Sequence, residues 1–90
     1  MSPLVSSHAW QQARARGANP MRVFHTLQRQ DIVELLQRYA PLRVALTGLL
    51  PSGTTLVARY NVVTEQPEAI TVLAAGMPVN RWTMRVQVAA

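Results

Sequence analysis

Residues Leu42 to Val62 read LRVALTGLLPSGTTLVARYNV, and this stretch decides the fold. Large apolar side chains fall at Leu42, Val44, Leu46, Leu50, Leu56, Tyr60 and Val62, whereas Arg43, Thr47, Thr55, Arg59 and Asn61 occupy positions of the other parity. Successive side chains of a strand point to opposite faces, so the alternation marks two half-buried strands. Between them, Leu50-Pro51-Ser52-Gly53 puts proline second and glycine fourth, which fits a type I turn or a three-residue hairpin loop. That loop would set Leu46 opposite Ala58, Val44 opposite Tyr60 and Leu42 opposite Val62, sending both apolar sets to one side.

The same parity continues toward the C-terminus. Ile70, Val72, Trp82, Met84, Val86 and Val88 join the apolar class, and Thr71, Thr83, Arg85 and Gln87 the outward one. A five-residue loop from Met77 to Arg81 would make a second hairpin, with Ala74 facing Met84, Val72 facing Val86 and Ile70 facing Val88. A helix from Pro67 to Ala75, stopped by Gly76, competes with this reading. The β-branched succession Ile70, Thr71, Val72 favours the strand. By this parity Tyr60 and Trp82 belong to the core.

The first half carries helical signals. Met1 to Ser7 reads as a tail, after which Ser7 can cap a helix over His8 to Arg16 that Gly17 stops. Asn19-Pro20 starts a second helix, expected to run to Tyr39 with Phe24, Leu27, Ile32, Leu35, Leu36 and Tyr39 as its apolar stripe. The expectation is a single α+β domain over residues 1–90: one or two N-terminal helices packed on one face of a mainly antiparallel sheet of three to four strands.

Composition narrows the classes of function. Apolar residues make up 49% of the chain and charged ones only 14%, against about 25% charged in an average soluble domain. Such a surface is expected to meet another chain. The net charge is +5, and all nine basic residues are arginines, which favours acidic partners. Cysteine is absent, so no disulfide framework or thiolate metal site is available. The longest uncharged run is too short to span a bilayer. Met1 to Ser7 has no signal-like pattern, so the default expectation is a cytoplasmic protein without membrane contact.

Gly48 to Thr55 resembles a phosphate-binding P-loop in the spacing of its two glycines. It departs at Thr54, where the motif needs lysine, and a strand follows where the motif needs a helix. His8 and His25 have no acidic or thiol neighbours at metal-ligand spacing. Asp31, Glu34, Glu65 and Glu68 form no constellation of nucleophile, base and orienting group. The expectation is therefore a non-enzymatic protein without cofactor.

What is left is arginine and outward-facing apolar surface. Arg43, Arg59 and Arg85, with Val57 and Leu73, fall on the sheet face away from the apolar class and are the expected partner-binding residues. The leading reading is a protein-protein interaction or assembly protein, of the size of small phage or mobile-element accessory or inhibitor proteins. Its expected partner is a protein with an acidic surface, and a homodimer is one form such assembly takes. The alternative is a basic nucleic-acid-binding protein that contacts phosphates through Arg14, Arg16 and Arg22. Stacking of bases is disfavoured because Tyr60 and Trp82 are assigned to the core.

Overall fold

The computed structural model describes residues 3–88, in which three consecutive helices lie between the first and second strands of one sheet. In chain order the elements are β1 (Leu4–Val5), α1 (Ser7–Ala15), α2 (Pro20–Thr26), α3 (Gln30–Tyr39), β2 (Val44–Thr47), β3 (Thr55–Asn61), β4 (Gln66–Leu73) and β5 (Met84–Gln87). The five strands lie in the order β1-β4-β3-β2-β5. The β2–β3 and β3–β4 pairs are antiparallel, but β1 runs parallel to β4 and β5 parallel to β2.

The fold is α+β, but the expected mainly antiparallel sheet of three to four strands under one or two helices is corrected to a five-stranded mixed sheet under three. Two causes account for the difference in the sheet. Part of the stretch expected to be a tail forms β1; Met1 and Ser2 lie outside the described residues. The second hairpin does not form: β4 pairs with β3, matching Leu56 with Val72, and β5 pairs with β2, matching Leu46 with Val86. Parity fixes which face a side chain takes and leaves open which strand lies beside it.

The expected helix from Pro20 to Tyr39 is two helices. Val23 and Leu27 are one turn apart, as are Ile32 and Leu36, and all four are fully buried. Leu27 and Ile32 are five residues apart, which on one continuous helix would put them about 140° apart. The break lets both face the sheet. Asp31 fixes it by accepting from the Ile32 amide at 3.0 Å and from Arg29 Nε and Nη2 at 3.1 and 2.7 Å. That ion pair holds the Asp31 carboxyl below its ordinary value, through the Arg29 hydrogen bonds first. At the start of α1, Ser6 rather than Ser7 is the cap, its Oγ accepting from the Ala9 amide at 3.1 Å.

Helices and sheet share one core. Ala9 and Ala13 let α1 lie close on β4, Ile32 and Leu36 bring α3 onto β3, and Val44, Leu46, Leu56, Ala58, Ala69 and Val72 answer from the sheet. Register between β2 and β3 is two residues away from the expected one, with Val44 opposite Ala58 and Leu46 opposite Leu56. Its cause is the longer connection over residues 48–54. Gly48, at φ +88°, turns the chain out of β2, and Leu49 and Leu50 then fold into the core. Between β3 and β4 the register slips at Val57/Ala58, where Ile70 is the extra residue of a bulge. That slip keeps both Ala69 and Val72 on the helix side.

The region over Pro67 to Ala75 is strand through Leu73. From there residues 74–83 must carry the chain past β3 and β2 to the far edge. Ala45 and Val57 point away from the helices yet are buried, Val57 at 6% exposure.

Candidate functional site

Of the five residues expected to form an open binding face, the structure leaves Arg43 and Arg85 exposed. Val57 is closed off within the chain's own fold, and Leu73 is half-buried. Arg59 lies opposite Glu68 across β3–β4, with its Nη2 3.4 Å from Glu68 Oε1 and its Nε buried without a hydrogen-bond partner. Extending the β2–β3 register by one residue puts Arg43 on the other side of Arg59. That rung of the face therefore runs Glu68, Arg59, Arg43, with Arg85 opposite Ala45 on another rung and Val57 already covered.

The expected phosphate-binding arginines are not brought together as one free cluster. Arg16 Nη1 donates to the Val72 carbonyl at 2.7 Å and is a structural tie. Arg14 is exposed, its guanidinium 6.0 Å from the Trp10 ring centroid. Arg22 is exposed and lines a cleft of about 500 Å³ beside α2, together with Asn19, His25, Thr26, Arg29 and Leu49.

The feature that parity missed is at one end of the sheet. β2 and β5 start there side by side, β3 finishes there, and the β3–β4 turn closes it. Leu42, Val62, Val63, Trp82 and Met84 are all exposed at this end, Trp82 at 79% and Val63 at 88%. The assignment of Trp82 to the core is corrected: it precedes the first β2–β5 rung, where Met84 is itself already exposed. Tyr60 is half-buried and packs against the core.

Two asparagines hold this end in shape. Asn80 accepts through Oδ1 from the Trp82 amide at 2.9 Å and through its carbonyl from the Thr83 amide at 2.9 Å. This turn projects the indole outward, and Arg81 stacks on it with 4.8 Å from guanidinium carbon to ring centroid. Across the end, Asn61 Oδ1 accepts from the Val63 and Thr64 amides at 3.0 and 3.1 Å, and its Nδ2 donates to Glu68 Oε2 at 2.8 Å. Pro41, Tyr60 and Val62 to Thr64 line a shallow cavity of about 210 Å³ beside it. Rigid turns that present apolar side chains lose little entropy on binding. The sequence signal was an asparagine two residues before Trp82, a side chain that bonds its own backbone two residues on.

Charge at this end is uneven. Arg43, Arg81 and Arg85 stand close to it in the chain's path, with Glu65 in the β3–β4 turn as their exposed counterpart. Among the described residues no group of three His, Asp or Glu could hold a metal ion, and no helix is long and apolar enough to cross a membrane. Comparison with protein-family models, with curated proteins and with solved structures finds no match.

Proposed function

We propose that this chain is a protein-interaction or assembly module, without catalytic activity of its own, that docks an acidic protein partner on the apolar end of its sheet. The observation that carries the reading is Trp82, held outward by the Asn80 turn at 79% exposure with Arg81 on its ring. Exposed tryptophan and arginine are the residue types that dominate binding energy at protein interfaces. Arg81 lies on the Trp82 ring, and Arg43 and Arg85 adjoin Leu42 and Met84 in sequence on the opposite face, so the exposed apolar end has cationic neighbours. The complement of such a surface is an apolar segment flanked by Asp or Glu.

The test is to pan a random-peptide display library against the immobilised chain. The expected outcome is enrichment of peptides that carry Asp or Glu beside aromatic or aliphatic residues, lost when Trp82→Ala is the bait. The reading is overturned if no such class is enriched while a labelled oligonucleotide binds at physiological ionic strength with steep salt dependence. That second outcome would return the function to phosphate contact through Arg14 and Arg22.

A further inference from the structure

β5 ends the sheet, and among the described residues one of its two sides is unpaired. The Val88 amide donates to the Thr47 carbonyl at 2.8 Å, so Val88 turns its backbone groups toward β2. Backbone direction alternates along a strand. Met84 and Val86 therefore also face β2, while Arg85 and Gln87 turn both N–H and C=O to the open edge. Thr83 faces outward as well, but its amide is already used by the Asn80 carbonyl. The edge thus offers two complete donor-acceptor pairs, two residues apart. Only Arg85 gives it any of the charge by which edge strands usually avoid pairing.

We propose that β5 pairs antiparallel with β5 of a second copy of this chain, about a two-fold axis through Val86, so that two five-stranded sheets become one continuous sheet. Register selects this axis. Residues opposite each other in a sheet share a face, so a two-fold axis perpendicular to the sheet must pass through a residue and not between two. An axis through Arg85 would oppose two guanidinium groups and require the Thr83 amide, which is occupied. An axis through Val86 sets Arg85 against the partner's Gln87 and Gln87 against the partner's Arg85. Each of those pairs exchanges two N–H···O=C bonds, four in all, using the groups that point outward. On the helix side Val86 then meets its own copy and Met84 meets Val88, which covers the exposed Met84. On the other side Arg85 faces an uncharged amide.

The occupant is a second copy because, with the axis through Val86, the edge is complementary to itself, in apolar content on one face and in charge on the other. Each copy carries a net charge of +5, so added salt tightens the dimer by screening the repulsion. An acidic partner on the Trp82 end responds in the opposite direction, which keeps the two interactions separable in one salt series.

Sedimentation equilibrium on the full chain tests the proposal. The expected mass is twice the 10.0 kDa of the chain, with the dimer fraction rising as salt is added. Arg85→Pro removes one outward amide proton and none directed at β2, a place where an edge strand tolerates proline. It should give a monomer with an unchanged far-ultraviolet circular dichroism spectrum. Val86→Cys is the independent check, since the chain has no native cysteine. In the proposed register the two thiols lie opposite each other in a non-hydrogen-bonded pair, with Cα atoms about 4.5 Å apart, within disulfide reach. Mild oxidation should convert Val86→Cys to a covalent dimer and leave Gln87→Cys uncoupled. A wild-type monomer at the highest attainable concentration overturns the proposal. So does a dimer that survives Arg85→Pro, or cross-linking through Gln87→Cys as fast as through Val86→Cys.

Discussion

Arg16 donates from Nη1 to the carbonyl of Val72 at 2.7 Å, joining the end of α1 to β4 across 56 positions of sequence. The bond fixes the helix to the sheet near the bulge at Ile70. It also removes Arg16 from the free cationic surface. Arg16→Ala should cost about 1.5 kcal/mol, the low end for a hydrogen bond from a charged donor, because the side chain is half-exposed. Arg14→Ala, on the same helix, should stay within about 0.5 kcal/mol. Urea denaturation of both variants measures the difference, and equal losses would contradict the assigned role.

Core and surface assignments separate Leu36 from Trp82. Leu36 is fully buried between α3 and the sheet, so Leu36→Ala should cost about 2–5 kcal/mol. Trp82→Ala removes the larger side chain but leaves no cavity. It should change stability by about 0.5 kcal/mol or less. A large loss on Trp82→Ala would return the indole to the core, where its parity alone would place it.

Gly48 and Gly17 both take a positive φ, +88° and +81°. At Gly17 an added Cβ meets open space, so Gly17→Ala should cost only the left-handed backbone term of about 1–2 kcal/mol. At Gly48 the same atom would lie 2.5 Å from the Val88 carbonyl oxygen, so Gly48→Ala should cost more than Gly17→Ala. Thermal melts rank the two, and the reverse order would contradict the close approach of residue 48 to the end of β5.

Acid should weaken the start of α3. The Asp31 carboxyl is held below its ordinary value of 3.8 by Arg29. A folded pKa lower than the unfolded one gives stability that is complete above the unfolded value and lost as pH falls through the folded one. Asp31→Asn should therefore flatten the stability profile below about pH 4 and leave its neutral-pH slope unchanged. Because Asp31 is exposed, added salt should reduce the effect. An unchanged acid limb in denaturation curves of Asp31→Asn would show that the pair does not persist in solution.

Local chemistry made part of this fold legible. Alternation identified the β2 and β3 strands and their inward faces, Gly17 the end of α1, and Asn19-Pro20 the start of α2. Neighbour choice was not legible, because Val72 and Val86 satisfy the same parity whether they face each other or lie beside Leu56 and Leu46. The α2–α3 break was legible only in the five-residue step from Leu27 to Ile32, which an apolar count over a long window averages away. At the candidate site, Arg43 and Arg85 were identified as exposed from parity. Trp82 is misplaced by parity because parity reports the face and says nothing of where along that face the core ends, which is before the Val44–Met84 rung.

The proposed acidic partner binds through Trp82 and the residues around it. The most direct test is the affinity of a display-selected peptide, bearing Asp or Glu beside an apolar residue, for the wild-type chain and for Trp82→Ala by isothermal titration calorimetry. Trp82→Ala should lose about tenfold or more in affinity, as expected for a tryptophan hot spot, with the unfolding midpoint unchanged and wild-type affinity falling as salt is added. Equal affinities for the two proteins would contradict the proposal.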